Sequence, residues 1–128
     1  LIAGPADGAE PPNGPGIEVI GPLYGADKAR ALKSSACLVL PTRSENFAIV
    51  VAEALWCRTP VISTKGAPWP ELGDYWVDIS AEAIADALRR FAAMTPADRE
   101  ARFAPLFAAA RDRFAWPAIA RALADDPR

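Results

Sequence analysis

Two glutamates, Glu45 and Glu53, stand eight positions apart across a boundary between polar and apolar sequence. Carboxylates suit the recognition of hydroxyl groups, because a charged acceptor strengthens each hydrogen bond it takes. On one regular helix the pair would sit about 80° apart and roughly 12 Å along the axis. Their surroundings argue for another placement. Cys37, Leu38, Val39 and Leu40 form an apolar run of strand length, followed by a polar turn over 42–46 and an Ala-rich apolar segment over 47–57 that reads as a helix. Glu45 is then expected in the loop mouth and Glu53 two turns down the helix, able to hold opposite ends of an elongated ligand. A helix fed by a strand through a short loop also offers backbone N–H groups without intrahelical partners. With the helix dipole, these favour an anion such as a phosphate.

Each candidate has a plainer reading. Glu45 can simply complement a helix N-terminus, an effect of about 0.3–1 kcal/mol. Glu53, among Val50, Val51, Ala54 and Leu55, lies either on an exposed face or in a pocket. Lys28 can be a surface helix lysine, and Arg43 and Lys65 can be surface charges or add positive potential near a bound phosphate. Other chemistry finds no support. The chain has no histidine and two separated cysteines, which gives neither a zinc set nor a His-based triad. A net charge of −2 gives no reason to expect nucleic acid. Cys37 and Cys57 in apolar contexts point to a reduced, cytoplasmic protein, and no apolar run approaches the ~20 residues of a membrane span.

The elements that must position these residues alternate strand and helix. Strands are expected at 1–4, 17–20, 37–40, 59–63 and 75–77, with a loop rich in Pro, Gly and Ala over 5–16. A helix over 27–35 places Ala29, Leu32 and Ala36 inward and Lys28, Arg30 and Lys33 outward. Ser80 caps a helix with Ile84, Leu88 and Phe91 on one face. Thr95, Pro96 and Asp98 signal another helix start, and Pro105 should kink or break the helix that follows. Trp116 and Pro117 open a terminal helix and tail over 114–128. The alternation implies a Rossmann-like α/β fold, a parallel sheet with helices on both faces. Ligands of such sheets bind beyond the carboxyl ends of the strands, where the loops 21–24, 43–46 and 64–69 lie.

The string Ser44-Glu45-Asn46-Phe47-Ala48, then Glu53-Ala54-Leu55 and Thr59-Pro60-Val61-Ile62, resembles the E-x7-E region of retaining GT-B glycosyltransferases of the family 4 type. Thr64-Lys65-Gly66-Ala67-Pro68-Trp69 is similar to a variant of bacterial polysaccharide members, and the resemblance runs from residue 1 to about 123. It implies the C-terminal, donor-binding half of a GT-B enzyme, truncated at its N-terminal side. Residues 1–128 would be a partial nucleotide-sugar-binding domain. The resemblance assigns Glu45 to the donor sugar and Glu53 to the ribose. It sets Asn46 and the N–H groups of Phe47, Ala48 and Ile49 at the diphosphate, and Leu23 (through its backbone) and Lys28 near the nucleobase. Glu71 matches an acid after the Gly-rich turn, and Trp69 is the one tryptophan with a claim to be a sugar platform.

The same resemblance implies a nucleotide-diphosphate-sugar donor, metal-independent catalysis without a cofactor, and transfer to a glycan or lipid-linked acceptor. The full protein is expected in the cytoplasm, with peripheral attachment at the inner face of the membrane as an extension. With no initiator Met, the chain is expected to begin inside a larger protein whose upstream part holds the acceptor-binding domain and the basic diphosphate clamp, so that this piece alone is inactive. The alternative is a noncatalytic nucleotide-sugar-binding or scaffold module of the same fold. Two departures bear on that choice. Ala48 and Arg58 stand where the family pattern has glycine. Ala48 is comfortable only with a helical φ. At Arg58, either the helix ends differently or the backbone is strained.

Overall fold

The computed structural model describes residues 1–5, 8 and 10–113. In chain order the elements are β1 (Ile2–Ala3), β2 (Val19–Gly21), α1 (Gly25–Ser34), β3 (Leu38–Leu40), α2 (Ile49–Trp56), β4 (Val61–Thr64), a 3-10 segment (Pro70–Tyr75), β5 (Trp76–Val77), α3 (Ala81–Ala93) and α4 (Pro96–Arg113). All strand pairings are parallel, as expected for an α/β fold of the Rossmann-like kind, but they form two ladders. One joins β1 to β2, and the other runs β3-β4-β5. Between Ala3 and Val19 the described residues hold neither helix nor strand. The expected terminal helix over 114–128 lies outside the described residues.

The core belongs to the second ladder. β4 is buried along its whole length, flanked by β3 and β5. Leu55 of α2, Leu72 and Tyr75 of the 3-10 segment, Ala87 and Phe91 of α3, and Phe103 and Phe107 of α4 pack into one cluster around it. Tyr75, Phe91 and Phe103 meet ring to ring at 5.5–6.3 Å, within the range in which aromatic pairs attract. Leu32 of α1 is the first residue of the chain to reach this cluster. Neither strand of the first ladder contributes a buried side chain.

Several local readings are corrected. Helix α1 starts at Gly25, two residues before the expected position, and Ala36 lies beyond it and exposed. The buried face of α3 is centred on Ala87 and Phe91, with Leu88 turned outward. Ser80 does cap α3, its hydroxyl accepting from Ala83 N–H at 3.1 Å. Thr95 caps α4 by accepting from Asp98 N–H at 3.1 Å. Pro105 does not break α4, which continues to Arg113. Proline removes the amide that would bond the carbonyl of Ala101, and both residues face solvent, where water can take that carbonyl.

Candidate functional site

The loop from β3 into α2 is fastened to the loop after β4. Thr64 Oγ1 accepts from Thr42 N–H at 2.8 Å and donates to Thr42 O at 2.5 Å. Glu45 N–H bonds Gly66 O at 2.9 Å, and the indole N–H of Trp69 bonds Phe47 O at 3.0 Å. Gly66 is required by close approach, since a Cβ there would come within 3.0 Å of the backbone of Thr42 and Arg43. These contacts were not foreseen. Thr64 at a strand end and Gly66 just after it were the available signals. Trp69 is 7% exposed, so it braces the loop and presents no stacking platform.

Helix α2 begins at Ile49, two residues later than the sequence suggests, because Ala48 has φ 47° and ψ 57°. A left-handed residue cannot belong to a right-handed helix. The comfortable, helical φ for Ala48 is therefore not realised. Arg58, with φ 61°, is left-handed too, which settles the alternative at that position in favour of strain. Ala48 and Arg58 are the non-glycine residues with positive φ among the described residues, and both stand where glycine was expected. The departures change the side chain and keep the chain path.

Within this frame Glu45 and Asn46 are exposed in the loop, and the Glu45 carboxylate has no ion-pair partner among the described residues. Phe47 is 75% exposed and Ile49 is also open, whereas Ala48 between them is only 4% exposed and joins the core. The first backbone bond from this helix start runs from Val51 N–H to Ala48 O at 2.9 Å. The preceding amides are the ones a helix start leaves for other partners.

Glu53 lies one turn into α2, not two, and meets Lys28 of α1. Lys28 Nζ stands 2.5 Å from Glu53 Oε2, with side chains 33% and 39% exposed. Oε2 is covered from solvent, and its contact with Lys28 is an ion pair outside ordinary hydrogen-bond geometry. Lys28 is thus not the outward surface lysine of the plainer reading. Leu23, half-buried, lies in the loop between β2 and α1, two residues before Gly25, and the first turn of α1 closes where Lys28 N–H bonds Tyr24 O at 3.3 Å.

Other candidates divide. Lys65 is held by Asp78 at 2.8 Å and Glu71 by Arg113 at 3.7 Å, which favours structural roles, while Arg43 is exposed. Cys37 is half-buried, and burial raises its thiol pKa against the lowering effect of Arg99, which suits an inert packing residue.

Parallel strands, a loop-to-helix junction at their carboxyl ends and two carboxylates about that junction are the parts from which ligand sites of α/β sheets are built. The family description "Glycosyl transferases group 1" matches residues 1–94, and the chain belongs to that family. Glycosyl transfer is the chemistry of the class. No curated protein and no solved structure gives a significant match. Among the described residues no helix is long and apolar enough to cross a membrane.

Proposed function

We propose that this chain binds the nucleotide-diphosphate-sugar donor of a retaining glycosyltransferase that transfers the sugar to a glycan or lipid-linked acceptor. The observation that carries the reading is the placement of two glutamates about one helix start. Glu45 is exposed in the loop mouth without an ion-pair partner among the described residues, and Glu53 is partly buried one turn inside. Glu53 would accept from the ribose hydroxyls and Glu45 from the donor sugar. The exposed helix start at Phe47 and Ile49 would face the diphosphate, whose charge the dipole favours, and no metal is needed for that interaction. Preorganised donors of this kind stabilise a leaving diphosphate as its charge develops. Leu23 and Lys28, from the neighbouring loop and helix, border the nucleoside end.

The two glutamates should fail differently. In the full-length protein, Glu53→Ala is expected to weaken a nucleoside diphosphate and its sugar conjugate alike, by about 1.5–3 kcal/mol, or tenfold or more. Glu45→Ala should leave the bare nucleoside diphosphate almost unchanged, weaken the conjugate and lower turnover further. Isothermal titration calorimetry of both variants with both ligands is the test. Equal losses, or none, would sink the assignment and leave Glu45 as a helix-end charge.

A further inference from the structure

We propose that Lys28 is a positioning residue for the donor site, one that holds the Glu53 carboxylate with Oε2 turned inward so that Oε1 alone meets the ligand. The inference rests on the donor-binding reading above. Its basis is an asymmetry within one carboxylate. Oε2 is fully covered and accepts no hydrogen bond, yet the Glu53 side chain as a whole keeps 39% exposure. A covered, ionised oxygen with no donor aimed at it is unfavourable unless a positive charge stands beside it. Lys28 Nζ, 2.5 Å away, supplies that charge.

Among the described residues no other cation forms an ion pair with Glu53. Glu53 is the sole charged residue of α2, so the helix offers no partner one turn away, and Lys28 is its ion-pair partner among the described residues. On α1 the neighbouring Arg30 is already engaged by Asp27. The pair also ties the first turn of α1 to α2 one turn past its start, and both helices follow strand carboxyl ends. Lysine is a compact point charge on a flexible stem, and it sets the direction of the carboxylate without occupying the lone pairs of Oε1. Without it, Glu53 would turn both oxygens toward water, and the geometry presented to a ribose diol would no longer be single.

The test is the ratio of affinities for a ribonucleoside diphosphate and its 2′-deoxy counterpart, measured in the full-length protein. UDP, GDP and ADP, each with its deoxy form, serve as probes. The unmodified protein should prefer the ribo form about tenfold, the effect of one hydrogen bond to a charged acceptor. Lys28→Met should cut that preference to about threefold or less, and Glu53→Gln should do the same. Because the lysine acts through the glutamate, the double variant should lose no more than Glu53→Gln alone. Lys28→Arg, which keeps the charge, should retain most of the preference. A merely structural role for Lys28 would weaken ribo and deoxy forms together and leave their ratio intact. An unchanged ratio in Lys28→Met, or additive losses in the double variant, would overturn the inference while the donor reading stands. Failure of the unmodified protein to bind any of the three nucleotides would overturn both.

Discussion

At its start α2 is preceded by Ala48 with φ 47°, and at its end it is followed by Arg58 with φ 61°. A left-handed non-glycine residue costs roughly 1–2 kcal/mol, so the two ends carry the same kind of strain. Their surroundings differ. The C-terminal end is closed by its own side chain, since the Arg58 guanidinium pairs with Glu100 and lies 5.1 Å from the centre of the Phe107 ring. Those contacts fasten α2 to α4. Ala48 has no side chain with which to do the same. The start of the helix is held instead by neighbouring backbone and by Thr64, Gly66 and Trp69, which leaves Phe47 and Ile49 open. Strain at one end is offset by interactions that seal it, and at the other by a frame that keeps it accessible. Sites are commonly where such strain persists.

The largest change expected at either end comes from Gly66→Ala, which forces a methyl into the backbone of Thr42 and Arg43. Overpacking of this kind should lower stability by about 2–3 kcal/mol, read as a drop in the denaturant midpoint, and should impair donor binding as well. A neutral result would show that the open end is not rigidly framed. At the closed end, Arg58→Ala keeps the left-handed strain and loses both side-chain contacts. It should cost about 1 kcal/mol, the contacts being largely exposed. Arg58→Gly relieves the strain while losing the same contacts, so it should fall within about 0.5 kcal/mol of the unmodified protein. If the two variants unfold together, the strain is smaller than the backbone angle implies. Smallest is Ala48→Gly. Relief of strain, reduced by loss of a buried methyl and by added freedom in the unfolded chain, should leave a gain of about 0.5 kcal/mol. A loss instead would mean that the methyl matters more to packing than the backbone does.

The order of elements was legible because apolar runs and turn residues alternate plainly from Cys37 to Phe91. The two caps at Ser80 and Thr95 were legible for the same local reason. What depended on distant neighbours was not. Alanine is a strong helix former, and the one sign that Ala48 is left-handed and delays α2 to Ile49 was the glycine that the family pattern has there, not anything in the neighbouring residues. Glu53 was readable as a candidate by type and spacing. Its partner was not, since the approach of Lys28 is set by how α1 packs on α2. Periodicity also put Leu88 on the buried face of α3, because a rule of spacing cannot tell which edge of an apolar stripe the core will cover.

The hydroxyl of Thr64 does on the β3 side what a further strand residue would have done. The ladder between β3 and β4 ends at the rung of Leu40 and Ser63. Two residues past Leu40, both the N–H and the carbonyl of Thr42 are satisfied by a single Oγ1. The chain therefore leaves the sheet with the amide and the carbonyl of Thr42 both matched. Fixing a residue's backbone costs roughly 1–2 kcal/mol of entropy. For this part of the loop that cost is met when the protein folds, through the side chain of a neighbouring strand. A ligand arriving at the helix start meets a mouth whose root is already ordered, and its binding free energy need not be diminished by arranging it.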